Sequence, residues 1–230
     1  MAESNIPRHL GFIIDGNRRW AKKHGLPPYE GHLAGFNALK EVALTVLEAG
    51  VPYMSAFIFS TENWKRSQDE VSKLMGLTSR VLKADLPLFQ KHNVRLRVLG
   101  SREGIDAKIL KEIDNAESDT RDNTSGTFAI CFNYGGQLEI VDAVKKIVQS
   151  GAAPDEVTSK LITDNLYAPD IPSVDMIIRT SGEYRLSNFM LWRAAYSELL
   201  FLDKYWPDMK KSDVADVLAE YAKRHRRFGS

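Results

Sequence analysis

The sequence predicts an α/β fold: a single domain over residues 1–230, with a mainly parallel central sheet flanked by helices. Three observations lead there. Apolar runs of strand length alternate with stretches whose apolar residues recur at helical spacing, the signature of βαβ units. A chain of 230 residues with 43% hydrophobic content can bury one full core. Polar residues able to do chemistry, Asp15, Ser60, Asn133 and Arg179, fall at or just after the ends of predicted strands. Ligands of open parallel sheets bind at those ends.

The elements follow in order. His9 to Ile14 is an apolar run that stops at Asp15, turns on Gly16 and enters a helix. Leu33, Phe36, Leu39, Ala43 and Leu47 recur at helical spacing. Tyr53 to Phe59 reads as a strand whose alternation points Ala56, Ile58 and Ser60 one way. Val71, Leu74, Met75, Thr78, Val81 and Leu82 form a helical stripe, and Ser67 with Glu70 gives it a capping box. Pro87 must end or kink that helix, so a bent helix is expected over 68–91. Val94 to Leu99 alternates apolar and basic residues, as a half-exposed strand would. Ile109, Leu110, Ile113 and Ala116 mark a helix, and Thr127 to Phe132 a strand. Ile140, Val144, Ile147 and Val148 mark another helix, followed by a short link at 150–154. Val174 to Ile178 and Leu199 to Leu202 read as strands, and Val214, Val217, Leu218 and Tyr221 as a last helix.

Bulk composition excludes several classes. Thirty-one basic against 30 acidic residues leaves no global field for nucleic acid, so any anion site must be local. One cysteine, Cys131, rules out an intrachain disulfide and a cysteine-based metal cluster, and suits a reducing cytoplasm. No apolar run reaches about 18 residues, so no transmembrane helix is expected. Residues 1–8 lack the apolar stretch of a signal peptide and are expected to be flexible. A greasy substrate would still bring such a chain to a membrane surface.

Three polar clusters carry the chemistry. The first is Asp15-Gly16-Asn17-Arg18-Arg19-Trp20. Backbone donors at a helix start and two guanidiniums suit a phosphorylated ligand. Asp15 suits Mg²⁺, which is often held by one carboxylate plus substrate phosphates. The second is Ser60-Thr61-Glu62-Asn63-Trp64-Lys65-Arg66, with a hydroxyl, an amide, an aromatic plane and a cation on one turn. The third, Arg179-Thr180-Ser181-Gly182-Glu183-Tyr184-Arg185-Leu186-Ser187-Asn188-Phe189, places two arginines and two serines after an apolar strand. Guanidiniums bind phosphate through paired donors and do not lose their charge. Two such loops on one rim suggest two phosphorylated substrates. His32, between the first two clusters, is a candidate phosphate contact.

These motifs, with Gly31-His32, Asn133-Tyr134-Gly135-Gly136 and Tyr196-x-Glu198, resemble the cis-prenyltransferases from His9 to Gly229, in order. The resemblance implies the undecaprenyl diphosphate synthase-like fold with a hydrophobic product tunnel, and a homodimer. It implies Z-configured addition of isopentenyl diphosphate to an allylic diphosphate such as farnesyl diphosphate. The product would be a polyprenyl diphosphate, a lipid carrier precursor for cell-wall glycan synthesis, released with peripheral membrane contact. By this likeness Asp15 carries Mg²⁺ and, with Asn63, is catalytic. Gly16, Asn17, Arg18, Arg19, His32 and Arg66 surround the allylic diphosphate. Trp20, Ser60, Thr61, Glu62 and Trp64 belong to the same substrate site. Arg179, Arg185, Leu186 and Ser187 hold isopentenyl diphosphate. Glu198 supports the metal from the neighbouring subunit, and Arg227-Phe228-Gly229 completes that site. The final proton acceptor stays open among Asn63, Ser60, His32 and released diphosphate.

The sequence departs from the family's pattern in three places. Arg18 stands where bacterial members usually have glycine, Pro28 where a basic residue is common, and Ile58 where long-chain bacterial members often have alanine. Ile58 is expected at the tunnel mouth, which suggests a product shorter than, or limited differently from, undecaprenyl diphosphate. The alternatives are a branched-product enzyme joining two allylic units, and a non-catalytic partner subunit. Retention of Asp15 and Asn63 argues against the second.

Overall fold

The computed structural model describes residues 6–224. Six strands form one sheet: β1 (His9–Ile13), β2 (Tyr53–Ser60), β3 (Arg95–Leu99), β4 (Thr127–Tyr134), β5 (Met176–Thr180) and β6 (Glu198–Leu202). Their order is β3-β4-β2-β1-β5-β6 and every pairing is parallel. The central strands are mostly apolar because helices or loops cover both faces; β1, β4 and β5 are buried at every residue. β3 is an edge strand, and its Arg95 and Arg97 turn to Asp170. Charges of that kind discourage pairing with a further strand.

Eight α-helices complete the described chain. They are α1 (Asn17–Lys23), α2 (Pro28–Glu48), α3 (Gln68–Lys83), α4 (Leu86–Lys91), α5 (Ala107–Asp119), α6 (Gly136–Gln149), α7 (Ser159–Asn165) and α8 (Lys211–Ala222). The long helix expected over 68–91 is two helices. Ala84 and Asp85 separate them, and Pro87 falls in the first turn of α4, where its missing N–H costs nothing. α2 starts at Pro28, one turn before the expected start, so His32 lies inside the helix. α7 was not expected; Thr158 caps it by accepting from Leu161 N–H at 3.1 Å. Arg8 is not loose: its N–H donates to Asp175 Oδ2 at 2.5 Å. Residues 1–5, and with them most of the expected flexible segment, lie outside the described residues. No described helix is long and apolar enough to cross a membrane.

One irregularity shapes the rim. Register between β2 and β4 runs evenly to Phe57 and Cys131, then slips so that Phe59 faces Phe132, and slips back so that Ser60 faces Tyr134. Ile58 on β2 and Asn133 on β4 are the unpaired residues. Such bulges re-aim side chains and break simple alternation. Ile58 and Phe59 consequently both face the larger apolar cluster, whereas Tyr134 joins the smaller cluster on the other face. Asn133 sits at φ 48°, a region that asparagine tolerates better than most residues.

Candidate active site

A cavity of about 1110 Å³ opens beyond the carboxyl ends of β1, β2 and β5. β1 lies between the other two, and the chain order changes direction there, as at the ligand crevices of open α/β sheets. Asp15, Gly16, Asn17, Arg18 and Arg19 line one side, and His32 from α2 joins them. Ser60, Glu62, Asn63 and Arg66 come from the end of β2 and the 3₁₀ turn Thr61–Lys65 that follows it. Arg179 and Ser187 close the third side. The floor is apolar, with Phe36, Phe57, Ile58 and Leu74. Gly16 permits the sharp exit from β1: its φ is 106°, and a Cβ there would come within 2.9 Å of the Tyr205 ring.

The charges on this rim are paired with one another. Arg179 donates to Asp15 Oδ2 at 2.9 Å, to Ser187 Oγ at 2.7 Å and to the Arg185 carbonyl. Arg19 lies 3.3 Å from Asp15 Oδ2 and 2.8 Å from Glu183 Oε1. Glu183 also pairs with Arg185, and these hydrogen bonds and charges hold its carboxyl below the usual range. Glu70 accepts from Arg66 at 2.8 Å and lies 3.4 Å from His32 Nε2. Burial and then the Arg66 charge lower the His32 pKa, although Glu70 opposes them, so the surroundings favour the neutral imidazole. Burial pushes Glu62 upward, but hydrogen bonds from its own backbone, Ser60, Asn188 and Thr61 outweigh it and lower its pKa.

Some expected residues stand elsewhere. Trp20 Nε1 donates to Asp208 Oδ1 at 2.7 Å, and the ring leans on His24, so it braces α1 instead of lining the cavity. Trp64 packs edge-on against Phe59 and donates to Asn133 Oδ1 at 2.7 Å. Thr61 and Leu186 are beside the cavity but not in its wall, and Arg185 is largely exposed and turned to Glu183. Glu198 opens β6 opposite Met176, at the end of the sheet away from the rim, and pairs with Arg224 at 2.9 Å. Within one chain it cannot reach Asp15. Arg227, Phe228 and Gly229 lie outside the described residues. Asn63 Oδ1 accepts from Ser60 N–H at 3.1 Å, which occupies the amide oxygen that would take a proton.

Two residues at the site, Glu70 and Asn188, were given no role there by sequence reasoning, and Asn133, expected at the rim, supports it in a way that was not foreseen. Glu70 reads as a helix-cap partner, and its backbone N–H does donate to Ser67 Oγ, but its carboxylate serves Arg66 and His32. Asn133 supports Trp64 while its Nδ2 donates to the carbonyls of Ser101 and Glu103. Asn188 lines the cavity and bonds Glu62. For Asn133 and Asn188 the signal was a polar residue at a strand end or in the rim loop, with partners distant in sequence; for Glu70 it was the one-turn spacing from Arg66, with His32 the distant partner.

Asp15, the carboxylate expected to carry Mg²⁺, has its Oδ2 beside Arg179 and Arg19 and its Oδ1 accepting from Gly16 N–H. Among the described residues no three His, Cys, Asp or Glu side chains gather as a metal cage. A lone carboxylate could hold Mg²⁺ only in the mode that shares the ion with substrate phosphates, which would draw the arginines off it.

The family model described as "Putative undecaprenyl diphosphate synthase" matches residues 13–229. The isoprenyl transferase of Thermotoga maritima is 47% identical, covering 97% of both chains. The trans,polycis-polyprenyl diphosphate synthase ((2Z,6E)-farnesyl diphosphate specific) of Thermobifida fusca is 46% identical, over 97% of this chain and 81% of that one. Among solved structures, lavandulyl diphosphate synthase from Lavandula x intermedia, in complex with dimethylallyl diphosphate, superposes with a TM-score of 0.95. It is 32% identical and the match covers 99% of this chain and 100% of that one. Similarity of this extent in sequence, fold and rim motifs has one meaning: the chain belongs to the cis-prenyltransferase family, the isoprenyl transferases.

Proposed function

We propose that this isoprenyl transferase condenses isopentenyl diphosphate with an allylic diphosphate such as farnesyl diphosphate, forming a Z double bond. The observation that carries the reading is the meeting of two arginine-bearing loops across one cavity: Arg179 reaches Asp15, and Arg19 reaches Glu183. Gly16, Asn17, Arg18, Arg19, His32 and Arg66 take the allylic diphosphate, while Arg179, Arg185 and Ser187 take isopentenyl diphosphate. Breaking the allylic C–O bond puts negative charge on the leaving diphosphate and positive charge on carbon. Donors already aimed at the leaving group lower that barrier, and holding two substrates in line supplies orientation. Asp15 would hold Mg²⁺, which when bound would supply positive charge to the departing diphosphate. A homodimer would bring Glu198 of a second copy into play, and the reaction would take place in the cytoplasm.

The apolar floor limits the product. Ile58 is aimed into the cavity, with Phe36 and Leu74 beside it, and Leu77, Val81, Phe89 and Phe128 are buried in the core. This supports a product shorter than, or limited differently from, undecaprenyl diphosphate. A second reading, the joining of two allylic units to a branched product, is favoured by the close superposition on lavandulyl diphosphate synthase. The intact Arg179, Arg185 and Ser187 favour ordinary elongation.

One incubation tests these readings: purified chain, Mg²⁺, labelled isopentenyl diphosphate and primers of several lengths. Expected is primer-dependent elongation that stops short of undecaprenyl length, with Asp15→Ala slower by on the order of a thousandfold. Ile58→Ala should lengthen the product, and unchanged product size in that variant would remove the floor as the cause. Turnover of dimethylallyl diphosphate alone would favour the branched reading, and full speed in Asp15→Ala would overturn the whole assignment.

A further inference from the structure

The loop after β5 bends through conformations that side chains seldom adopt. Ser187, Asn188 and Met190 have φ of 50°, 67° and 46°. Such strain persists only where surrounding contacts hold it. Asn188 supplies several of those contacts. Its carbonyl accepts from Gly136 N–H at 2.7 Å and its Oδ1 from Gln137 N–H at 2.8 Å. Both fasten the loop to the start of α6, where Gly135 has no side chain to cap the helix. The approach leaves no spare room: a Cβ on Gly135 would lie 2.9 Å from Asn188 Nδ2, and one on Gly136 3.0 Å from the Asn188 carbonyl. The remaining group, Nδ2, donates across the cavity to Glu62 Oε1 at 3.1 Å. Glu62 belongs to the turn that presents Asn63 and Arg66.

We propose that Asn188 is a positioning residue that ties the loop carrying Ser187 to the turn carrying Glu62, Asn63 and Arg66, so that the two substrate sites take up their working separation together. The proposal rests on the two-substrate reading above. It makes a specific claim: binding of isopentenyl diphosphate on the Arg179 side depends on Glu62 on the other side, and Asn188 carries that dependence. A helix-capping role alone predicts something different. Asn188→Asp keeps the carbonyl and an Oδ1 that accepts from Gln137, and aspartate caps helix starts as well as asparagine. It replaces only the donor to Glu62, setting one carboxylate against another, which repel.

Steady-state kinetics of the full chain, with farnesyl diphosphate, Mg²⁺ and labelled isopentenyl diphosphate, decide it. Asn188→Asp should raise KM for isopentenyl diphosphate about tenfold, the scale of one lost charge-assisted hydrogen bond, with a smaller change in kcat. Adding Glu62→Gln restores a donor, and should return KM to within about threefold of Glu62→Gln alone, a coupling that only neighbouring residues show. A wild-type KM in Asn188→Asp, or effects that merely multiply in the double variant, would overturn the proposal. Wild-type protein that turns over no isopentenyl diphosphate would count against the reaction instead. Hydrogen exchange of the substrate-free protein then carries the test. Asn188→Asp should speed exchange across residues 61–66 and Glu62→Gln should reverse it, and unchanged exchange would refute the tie.

Discussion

Arg193 and Arg179 are both almost fully buried, at 3% and 4% exposure, and they differ in what is left unpaired. Arg193 donates to Glu139, to the carbonyls of Tyr167 and Ala168, and to that of Ile171. The other Glu139 oxygen takes the Tyr134 hydroxyl, whose pKa burial and this carboxylate push well up. Every polar atom in that knot is satisfied. Arg179 keeps a buried Nε with no hydrogen bond, and Asn17 Oδ1 and Ser181 Oγ beside the same rim share that condition. Unsatisfied buried groups are costly. A region that retains several expects its partners from outside, whereas a saturated region builds walls. On the proposed function, one arginine serves the fold and the other the ligand.

The largest test breaks the saturated knot. Arg193→Ala leaves Glu139 buried without its cation and should lower stability by about 3–5 kcal/mol, read by urea denaturation. A loss below about 1 kcal/mol would erase the contrast. Arg179→Gln should do the reverse. We expect kcat/KM for isopentenyl diphosphate to fall about a hundredfold, the cost of one charged contact, while stability changes by less than about 1 kcal/mol. Equal losses of stability in the two variants would mean that the comparison is false.

A smaller effect comes from His9, which is wholly buried between the Pro172 carbonyl at 2.9 Å and Ser55 Oγ at 2.7 Å. Burial lowers its pKa from 6.5 to about 4, against the Pro172 hydrogen bond. The unfolded chain takes up a proton near pH 6.5 and the folded chain does not until about pH 4, so stability is lost as pH falls through that window. By pH 4.5 the loss is about 2–3 kcal/mol. In His9→Gln the difference between urea curves at pH 7.5 and 4.5 should shrink by that amount. An unchanged difference would move the acid sensitivity elsewhere, with the His32 side of the rim as the next place to look.

Strand and helix order were legible because alternation and helical spacing are local signals. Asp15, Ser60 and Arg179 were placed on one rim by strand ends alone. What sequence could not give was the choice of partner. Glu70 has the spacing of a cap and is one through its backbone, yet its carboxylate also pairs with Arg66 one turn earlier and faces His32, which only the meeting of α2 and α3 brings near. Trp20 and Trp64 look alike as site aromatics, but Asp208 and Asn133 lie 188 and 69 residues away and turn both rings from the cavity wall. The paired slips at Ile58 and Asn133 were invisible as well, since nothing local distinguishes an extra strand residue from an ordinary one.

Ile58 stands in the sheet without an opposite number on β4. Its neighbours Phe57 and Phe59 keep their own partners across the ladder whatever occupies the place between them. A bulkier or slimmer residue there would alter the depth of the chamber and leave the backbone lattice as it was. If Ile58 limits the product as proposed, the scaffold has separated tuning from architecture at this one residue, and descendants of this chain could explore new chain lengths there without first having to relearn how to fold.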